Sequence, residues 1–325
     1  MKKINKKIIF PILIGIVLAC YLIPAILKKT NMPALEIKHG SADTSIVSMY
    51  KGHKIPIAIS RRKKMPQVRD QGRFGTCSEF AIAYALGSKK DKAVFSPAFI
   101  TAYMRYYSGL TYLSKVNKMM KGFGVYHFNH MPRNDLDIGV NSVSSGLEIA
   151  RMHGICLEYQ HSYKSENFEK LPKARIRKQA AKNGIYNYGG FYVGGFDSAV
   201  PGYLGINRAR LLLARGKPVI MHIRINSNIY KFVKTGAIFS FAESGNLSSK
   251  PYKHALCLTG YNDTISTVDG KGVFYAINCW GASSLRDGYL IITYQEMAWH
   301  QYDNYFYWFS FSKKDYNEVF EILYE

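Results

Sequence analysis

The 325-residue chain contains little cysteine, with five residues spread along its length. A chain this long buries enough apolar surface to fold without cross-links, so the cysteine content excludes a small disulfide-stapled scaffold. Cys257 and Cys279 fall on strands that we expect to be neighbours, which leaves a bridge between them open. A zinc site is disfavoured, because His254 and Cys257 lie three residues apart and point to opposite faces of one strand. We expect no cofactor.

Acidic residues are also scarce, since 22 Asp and Glu stand against 44 Lys and Arg and give a net charge of +22. Basic residues are dense at 61–64 and 170–182. Such an excess suits an acidic partner or substrate, an anionic membrane surface or nucleic acid, and it is equally typical of a solvated surface. Nucleic-acid binding is disfavoured because no motif interleaves basic and aromatic residues.

Repeats and low-complexity tracts are absent, and one long apolar run stands out. Residues 8–27 carry no charge and follow four lysines. As a helix, these 20 residues would span about 30 Å, enough for the hydrocarbon core of a bilayer. The preceding lysines favour an N-terminus inside the cell, which places the rest of the chain on the periplasmic or extracellular side.

Three interpretations of this N-terminal segment remain open. It is an uncleaved signal anchor, a signal peptide cleaved after residues 17–19 that releases a secreted protein, or a lipoprotein signal with Cys20 acylated. We favour the membrane anchor. The predicted organisation is an anchor or signal at residues 1–30, a linker at 31–55 and one globular domain at 56–325.

The segment QGRFGTC, residues 71–77, places a cysteine at the start of an apolar, helix-like run. A helix N-terminus carries partial positive charge and unpaired N–H groups, which favour a thiolate at Cys77. Gly72 and Gly75 allow a tight turn, and the Gln71 amide can donate to a developing oxyanion. A lone cysteine before an apolar run is more often a buried core residue than a nucleophile, so a base must be found elsewhere.

Candidates for that base lie near the C-terminus. His254 begins a predicted buried strand, and Asn278 ends the next one, directly before Cys279 and Trp280. Cysteine, histidine and an amide, distant in sequence, are the parts of an activated thiol nucleophile.

These segments together resemble the papain-like cysteine peptidases, particularly their bacterial members. The matching stretches are 66–72, 75–77, 80–81, 254–261, 278–281 and 287–289, and the resemblance covers roughly residues 56–312. It implies an α+β fold with two lobes, one helical and one a twisted antiparallel sheet or barrel, with the active-site cleft between them.

The resemblance also implies a role for each residue. Cys77 corresponds to the nucleophile, His254 to its proton partner and Asn278 to the residue that holds the imidazole. Gln71 corresponds to the oxyanion-hole amide, beside the backbone N–H of Cys77, and Trp280 to the indole that shields the Asn–His contact. The implied chemistry is hydrolysis of peptide or protein substrates by a cysteine endopeptidase, through a thiolate–imidazolium pair and an acyl-enzyme.

Three residues depart from the family pattern. Ser78 stands where an aromatic residue usually follows the nucleophile, Phe74 where a disulfide-bonded cysteine is frequent, and Cys279 where a serine usually follows the asparagine. They leave specificity open, together with two alternatives: an inactive papain-like module that binds a peptide or partner, and an acyl-transfer variant such as a transpeptidase or amidase.

Local patterns predict helices before strands along the chain. The predicted helices cover 77–88, 96–107, 143–153, 171–183 and 206–215, and the predicted strands cover 217–224, 254–261, 273–279 and 287–293. Cys77 would come from the helical lobe, and His254 and Asn278 from the sheet lobe.

Overall fold

In the computed structural model, helices dominate the first half of the chain and strands the second half. The structure describes residues 55–111, 142–192, 203–225, 229, 232, 237–244, 252–284, 287–299 and 301–324. The predicted anchor at residues 1–30 and nearly all of the predicted linker lie outside these residues.

The α-helices are α1 (Cys77–Ser88), α2 (Pro97–Thr111), α3 (Val143–His153), α4 (Ala174–Ala180), α5 (Tyr203–Ala214), α6 (Phe241–Ser244), α7 (Tyr294–Trp299) and α8 (Lys313–Tyr324). The strands are β1 (Ala58–Ser60), β2 (Asn187–Tyr192), β3 (Val219–Ile225), β4 (Tyr252–Thr267), β5 (Gly270–Ile277), β6 (Tyr289–Thr293) and β7 (Gln301–Ser310). Short 3₁₀ turns lie at Arg62–Lys64, Glu158–Gln160, Ser165–Asn167 and Ala181–Asn183.

Helix α1 is buried around its whole circumference, from Cys77 to Gly87. An amphipathic surface helix shows one apolar stripe. Helix α1 is instead buried on every side, because α2 and α3 pack against one part of it and β3 and β4 against another. Gly146 of α3 permits this packing, since a Cβ there would lie 2.4 Å from the Cδ1 atom of Ile82. The helix that begins at Cys77 is therefore enclosed by both lobes.

The seven strands form one antiparallel sheet in the order β2-β7-β3-β4-β5-β6, with β1 also paired to β4. The path is open among the described residues, so the sheet lobe is a twisted sheet rather than a closed barrel. Strand β4 is the longest and pairs with β3, β5 and β1. A residue at its start is therefore held by the centre of the sheet.

The sheet separates two apolar cores. Along β4, Ala255 and Cys257 pack with α1–α3 in one core, whereas Leu256 and Leu258 pack with α5, α7 and α8 in the other. This alternation follows from the two-residue period of a strand. The predicted combination of a helical lobe and a sheet lobe is confirmed.

Candidate active site

A tight turn leads into α1. Gly72 has φ +60°, a left-handed conformation that favours glycine, and its N–H donates to the Asp70 carboxylate at 2.7 Å. Five residues later, Cys77 is the first residue of α1, and no side chain caps the helix at Thr76. The Cys77 side chain therefore lies at the positive end of a helix, as the sequence predicts.

The loop before Cys77 is joined to the segment after β5. The Gln71 N–H donates to the Cys279 carbonyl at 2.8 Å, and Asp70 and Trp280 form an isolated antiparallel bridge. These backbone contacts bring two segments more than 200 residues apart to one place, and they bring Gln71 and Trp280 together.

His254, Asn278 and Trp280 form one contact group. The Nε2 atom of His254 lies 2.8 Å from the Oδ1 atom of Asn278, and the indole of Trp280 stacks on the imidazole at 4.6 Å between ring centres. Because an amide oxygen only accepts, Nε2 carries the proton, which leaves Nδ1 with its lone pair. This is the tautomer that can accept a proton from a thiol.

Cys77 lies against the backbone of β4 directly beside His254. Ala255 hydrogen-bonds the Cys77 sulfur and lowers the pKa of the thiol, so its N–H is the donor. Burial acts in the opposite direction and dominates, raising the Cys77 pKa to about 11, while the Lys253 ammonium lowers it. The Cys77 residue is 3% exposed.

Burial also dominates at the imidazole. It lowers the pKa of His254 to about 4. The hydrogen bond to Asn278 raises this pKa, and the nearby His222 lowers it further. Desolvation thus favours a neutral thiol and a neutral imidazole in the free protein. The thiolate–imidazolium pair implied by the resemblance remains a prediction.

The Gln71 amide is held from two sides. Its Oε1 atom accepts from the Cys279 thiol at 2.7 Å, and its Nε2 atom donates to the Phe74 carbonyl at 2.9 Å. The main-chain carbonyl of Gln71 accepts from the Tyr163 hydroxyl at 2.9 Å. Since the amide nitrogen has two hydrogens, one remains for an oxyanion. Cys279 and Tyr163 are contacts that sequence reasoning missed, because neither is near Gln71 in sequence.

Glu79 is a second residue that sequence reasoning missed. It lies two positions after Cys77 and is fully buried, and neither carboxyl oxygen has a hydrogen-bond partner among the described residues. Burial raises the pKa of this carboxyl to about 8, against the nearby backbone N–H of Glu79 itself and the Lys253 ammonium, which both lower it. Its negative form also raises the Cys77 pKa. A charged residue at the start of an apolar run was the available signal.

Ser78 contacts a second histidine. Its hydroxyl lies 3.0 Å from the Nε2 atom of His222 on β3, and both residues are buried. Ser78, which stands where the resemblance implies an aromatic residue, is thus part of a buried polar contact between α1 and the sheet. His222 lies within a strand that the sequence predicts, but its contact with α1 depends on the packing of the lobes.

The remaining cysteines are not part of a cross-link. All four that the structure describes (Cys77, Cys156, Cys257 and Cys279) are buried and free. The bridge left open between Cys257 and Cys279 is therefore wrong. Across the described residues no group of His, Cys, Asp and Glu side chains could hold a metal ion.

The fold is similar to that of solved cysteine proteases. Xylellain, a cysteine protease from Xylella fastidiosa, is 19% identical with a TM-score of 0.56, covering 83% of this chain and 90% of that chain. Procathepsin L 3 of Tenebrio molitor is 14% identical with a TM-score of 0.53, covering 80% of this chain and 72% of that one. Bromelain from Ananas comosus is 14% identical with a TM-score of 0.52, covering 79% of this chain and 100% of its own.

No protein-family model and no curated protein matches the sequence. The similarity to the solved structures nevertheless spans most of the chain and both lobes. At these identities it establishes the architecture, and the individual residues rest on the geometry described above. The chain has the two-lobe α+β fold of the papain-like cysteine proteases.

Proposed function

We propose that the protein is a cysteine endopeptidase that hydrolyses peptide bonds in peptide or protein substrates. The observation that carries the proposal is a set of contacts at the junction of the two lobes. There the Cys77 sulfur accepts a bond from Ala255, while His254, the preceding residue, is held by Asn278. A nucleophile, a base and the group that orients the base are the minimum set for acyl transfer through a thiol.

In the proposed reaction the Cys77 sulfur attacks the substrate carbonyl carbon, and the thiol proton passes to Nδ1 of His254. The carbonyl oxygen becomes an oxyanion that receives hydrogen bonds from the Gln71 amide and the Cys77 backbone N–H. His254 then gives its proton to the leaving amine, and the C–N bond breaks. Water, deprotonated by His254, cleaves the resulting thioester and restores the thiol.

Asn278 and Trp280 support this proton transfer. The bond from Nε2 to Asn278 becomes charge-assisted when the ring is protonated, and it strengthens at that step. The stacked indole excludes water from the same bond. Because burial disfavours both charged forms in the free protein, substrate binding would have to stabilise the ion pair, or proton transfer and attack would have to occur together.

The proposal is tested by incubating the full chain with a peptide library and identifying cleavage products by mass spectrometry. Cys77→Ala and His254→Ala should each abolish cleavage. Cys156→Ala is the matched control, because Cys156 is also a buried free thiol but lies in the helical core. Unchanged turnover in His254→Ala would show that the assigned base is wrong.

An inactive peptide-binding module is the second candidate, favoured by the burial of both Cys77 and His254. It predicts that the folded protein binds library peptides without cleaving them, and that Cys77→Ala leaves binding unchanged. Products joined to an added amine would instead identify the acyl-transfer variant.

We further propose that residues 1–30 anchor the protein in a membrane, with the catalytic domain outside the cytoplasm. The support is the uncharged run at 8–27 behind four lysines. That run lies outside the described residues, among which no helix is long and apolar enough to cross a bilayer. Protease added to intact cells should degrade the catalytic domain of an anchored protein, and a domain protected until lysis would contradict the proposal.

A further inference from the structure

A cavity of about 340 Å³ lies at the far end of α1 from Cys77. Its walls are the segment that follows β1, the end of α1 and the turn between α5 and β3, and its floor includes the buried residues Met65 and Leu258. The volume is at the lower end of the range for small-molecule sites. Because α1 has twelve residues, the cavity is about 18 Å from the candidate active site.

The cavity is strongly basic. Arg61, Lys64, Lys89 and Lys92 line it, against the single carboxylate of Asp91. The C-termini of α1 and α5 lie nearby, and each contributes about half a negative charge. After both helix ends and the carboxylate are counted, roughly two positive charges remain uncompensated.

Two of these cations are held in place by the protein. Arg61 donates from Nε to the Leu213 carbonyl at 2.9 Å and from Nη2 to the Ala214 carbonyl at 3.3 Å, and Lys89 donates from Nζ to the Gly216 carbonyl at 3.3 Å. These bonds orient the two side chains and leave further N–H groups on each. On this side of the cavity the partly buried Arg61 is held by two bonds and the exposed Lys89 by one.

Partial burial and neighbouring cations together destabilise the ammonium of Lys89. Burial lowers its pKa first, and the neighbouring cations Lys217 and Arg61 lower it further, with Glu318 opposing. Lys217 is itself paired with Asp315 and Glu318. The repulsion from Lys217 and Arg61, which is the smaller part of this effect, is the part that a bound anion would relieve.

The other two lysines are available to a ligand. Lys64 and Lys92 are exposed, and neither side chain has a hydrogen-bond or carboxylate partner among the residues described. Lys92 follows Asp91 in a backbone where both have positive φ, +49° and +62°. Two successive non-glycine residues in this region are costly, and such strain is typical of segments that position a functional side chain.

We propose that this cavity binds a phosphate-bearing anion of at least two negative charges. Arg61 and Lys89 would form the fixed side of the site and Lys64 and Lys92 the mobile side, since compact oxyanions are recognised by guanidinium and ammonium groups together. The shared chemistry has two sources, a soluble phosphate compound and the phosphate of a lipid headgroup. This inference goes beyond the proposed peptidase activity and does not depend on it.

The test uses the full chain and two probes. Inorganic pyrophosphate is titrated by calorimetry, and co-sedimentation compares vesicles of phosphatidylcholine alone with vesicles that also contain phosphatidic acid. The variant Lys64→Ala/Lys92→Ala removes two exposed lysines whose side chains have no hydrogen-bond or carboxylate partner in the described part of the chain. The control Lys170→Ala/Lys178→Ala removes the same charge from exposed positions on and beside α4.

We expect the Lys64→Ala/Lys92→Ala variant to lose at least about tenfold in affinity for the bound probe, which corresponds to two exposed charge contacts. The control should bind like the wild type. Pyrophosphate binding identifies a soluble ligand, and a gain in sedimentation caused by phosphatidic acid alone identifies a lipid headgroup. Equal losses in variant and control, or binding of neither probe by the wild type, would overturn the proposal.

Discussion

The Glu79→Gln substitution should change how the stability of the protein depends on pH. Glu79 is fully buried without a hydrogen-bond partner for either carboxyl oxygen among the described residues, and burial raises its pKa from 4.5 to about 8. In the unfolded chain the carboxyl loses its proton near pH 4.5, whereas in the folded protein it keeps the proton until about pH 8. The contribution of this group to the free energy of unfolding is therefore highest below pH 4.5 and falls as the pH rises to about 8.

The size of the effect follows from the shift. Each pKa unit corresponds to about 1.4 kcal/mol, so the ionisable carboxyl costs the folded state about 3 kcal/mol at pH 7 and about 5 kcal/mol above pH 8. Glutamine has nearly the same shape and no charge to desolvate. Its own buried amide adds an offset, but that offset does not vary with pH.

Urea unfolding of wild type and Glu79→Gln, measured from pH 4.5 to pH 9, tests this prediction. The difference in unfolding free energy should rise in favour of the variant by about 1.4 kcal/mol per pH unit up to about pH 8 and then level off. Groups that titrate in both proteins, His254 among them, cancel in the difference. A difference that is constant over this range would refute the assignment of a neutral Glu79 beside Cys77.

Two further predictions concern the groups that orient the site. Asn278→Ala removes the bond to Nε2 of His254. Because the imidazole loses its orientation, kcat/KM for peptide hydrolysis should fall about 10²-fold with little change in KM. An unchanged kcat/KM would contradict the assigned role. Cys279→Ala removes the donor that holds Gln71, so kcat should fall about fivefold, the value of one hydrogen bond. Cys279→Ser should restore it, and equal rates in the two Cys279 variants would show that this contact does not matter.

Local sequence signals were enough to predict the bounds of two helices. The predicted bounds of α1 and α3 agree with the observed Cys77–Ser88 and Val143–His153. For α3 the reason is visible, since the Ser142 side chain accepts from the Ser145 N–H at the start and Gly154, at φ +70°, ends the helix.

Elements that depend on distant partners were missed. Strand β2 contains Gly189 and Gly190, which weaken a strand pattern, and it pairs with β7 more than 100 residues away. Packing requires a glycine at position 189, because a Cβ at Gly189 would lie 2.9 Å from the indole of Trp308. Strands β1 and β7 and helices α6, α7 and α8 were also not predicted.

The candidate site likewise contains residues that the sequence predicts and contacts that it does not. Cys77, His254 and Asn278 were predicted from residue type, order and family resemblance. The structure places His254 against Asn278 and the Cys77 sulfur against the backbone of Ala255, and the catalytic roles of these residues remain a prediction. The burial of Glu79 and the contact of Ser78 with His222 follow from how the lobes pack. No local pattern carries that information, and neither do the pKa shifts that result from it.

The most direct test of the central claim is active-site labelling of the full chain with a thiol-directed epoxide, read by peptide mass mapping while peptide hydrolysis is followed in the same sample. Our account predicts one label per molecule, located at Cys77, with hydrolysis falling in proportion to labelling, and neither label nor hydrolysis in Cys77→Ala. Hydrolysis that persists when Cys77 is fully labelled, or that survives in Cys77→Ala, would contradict it.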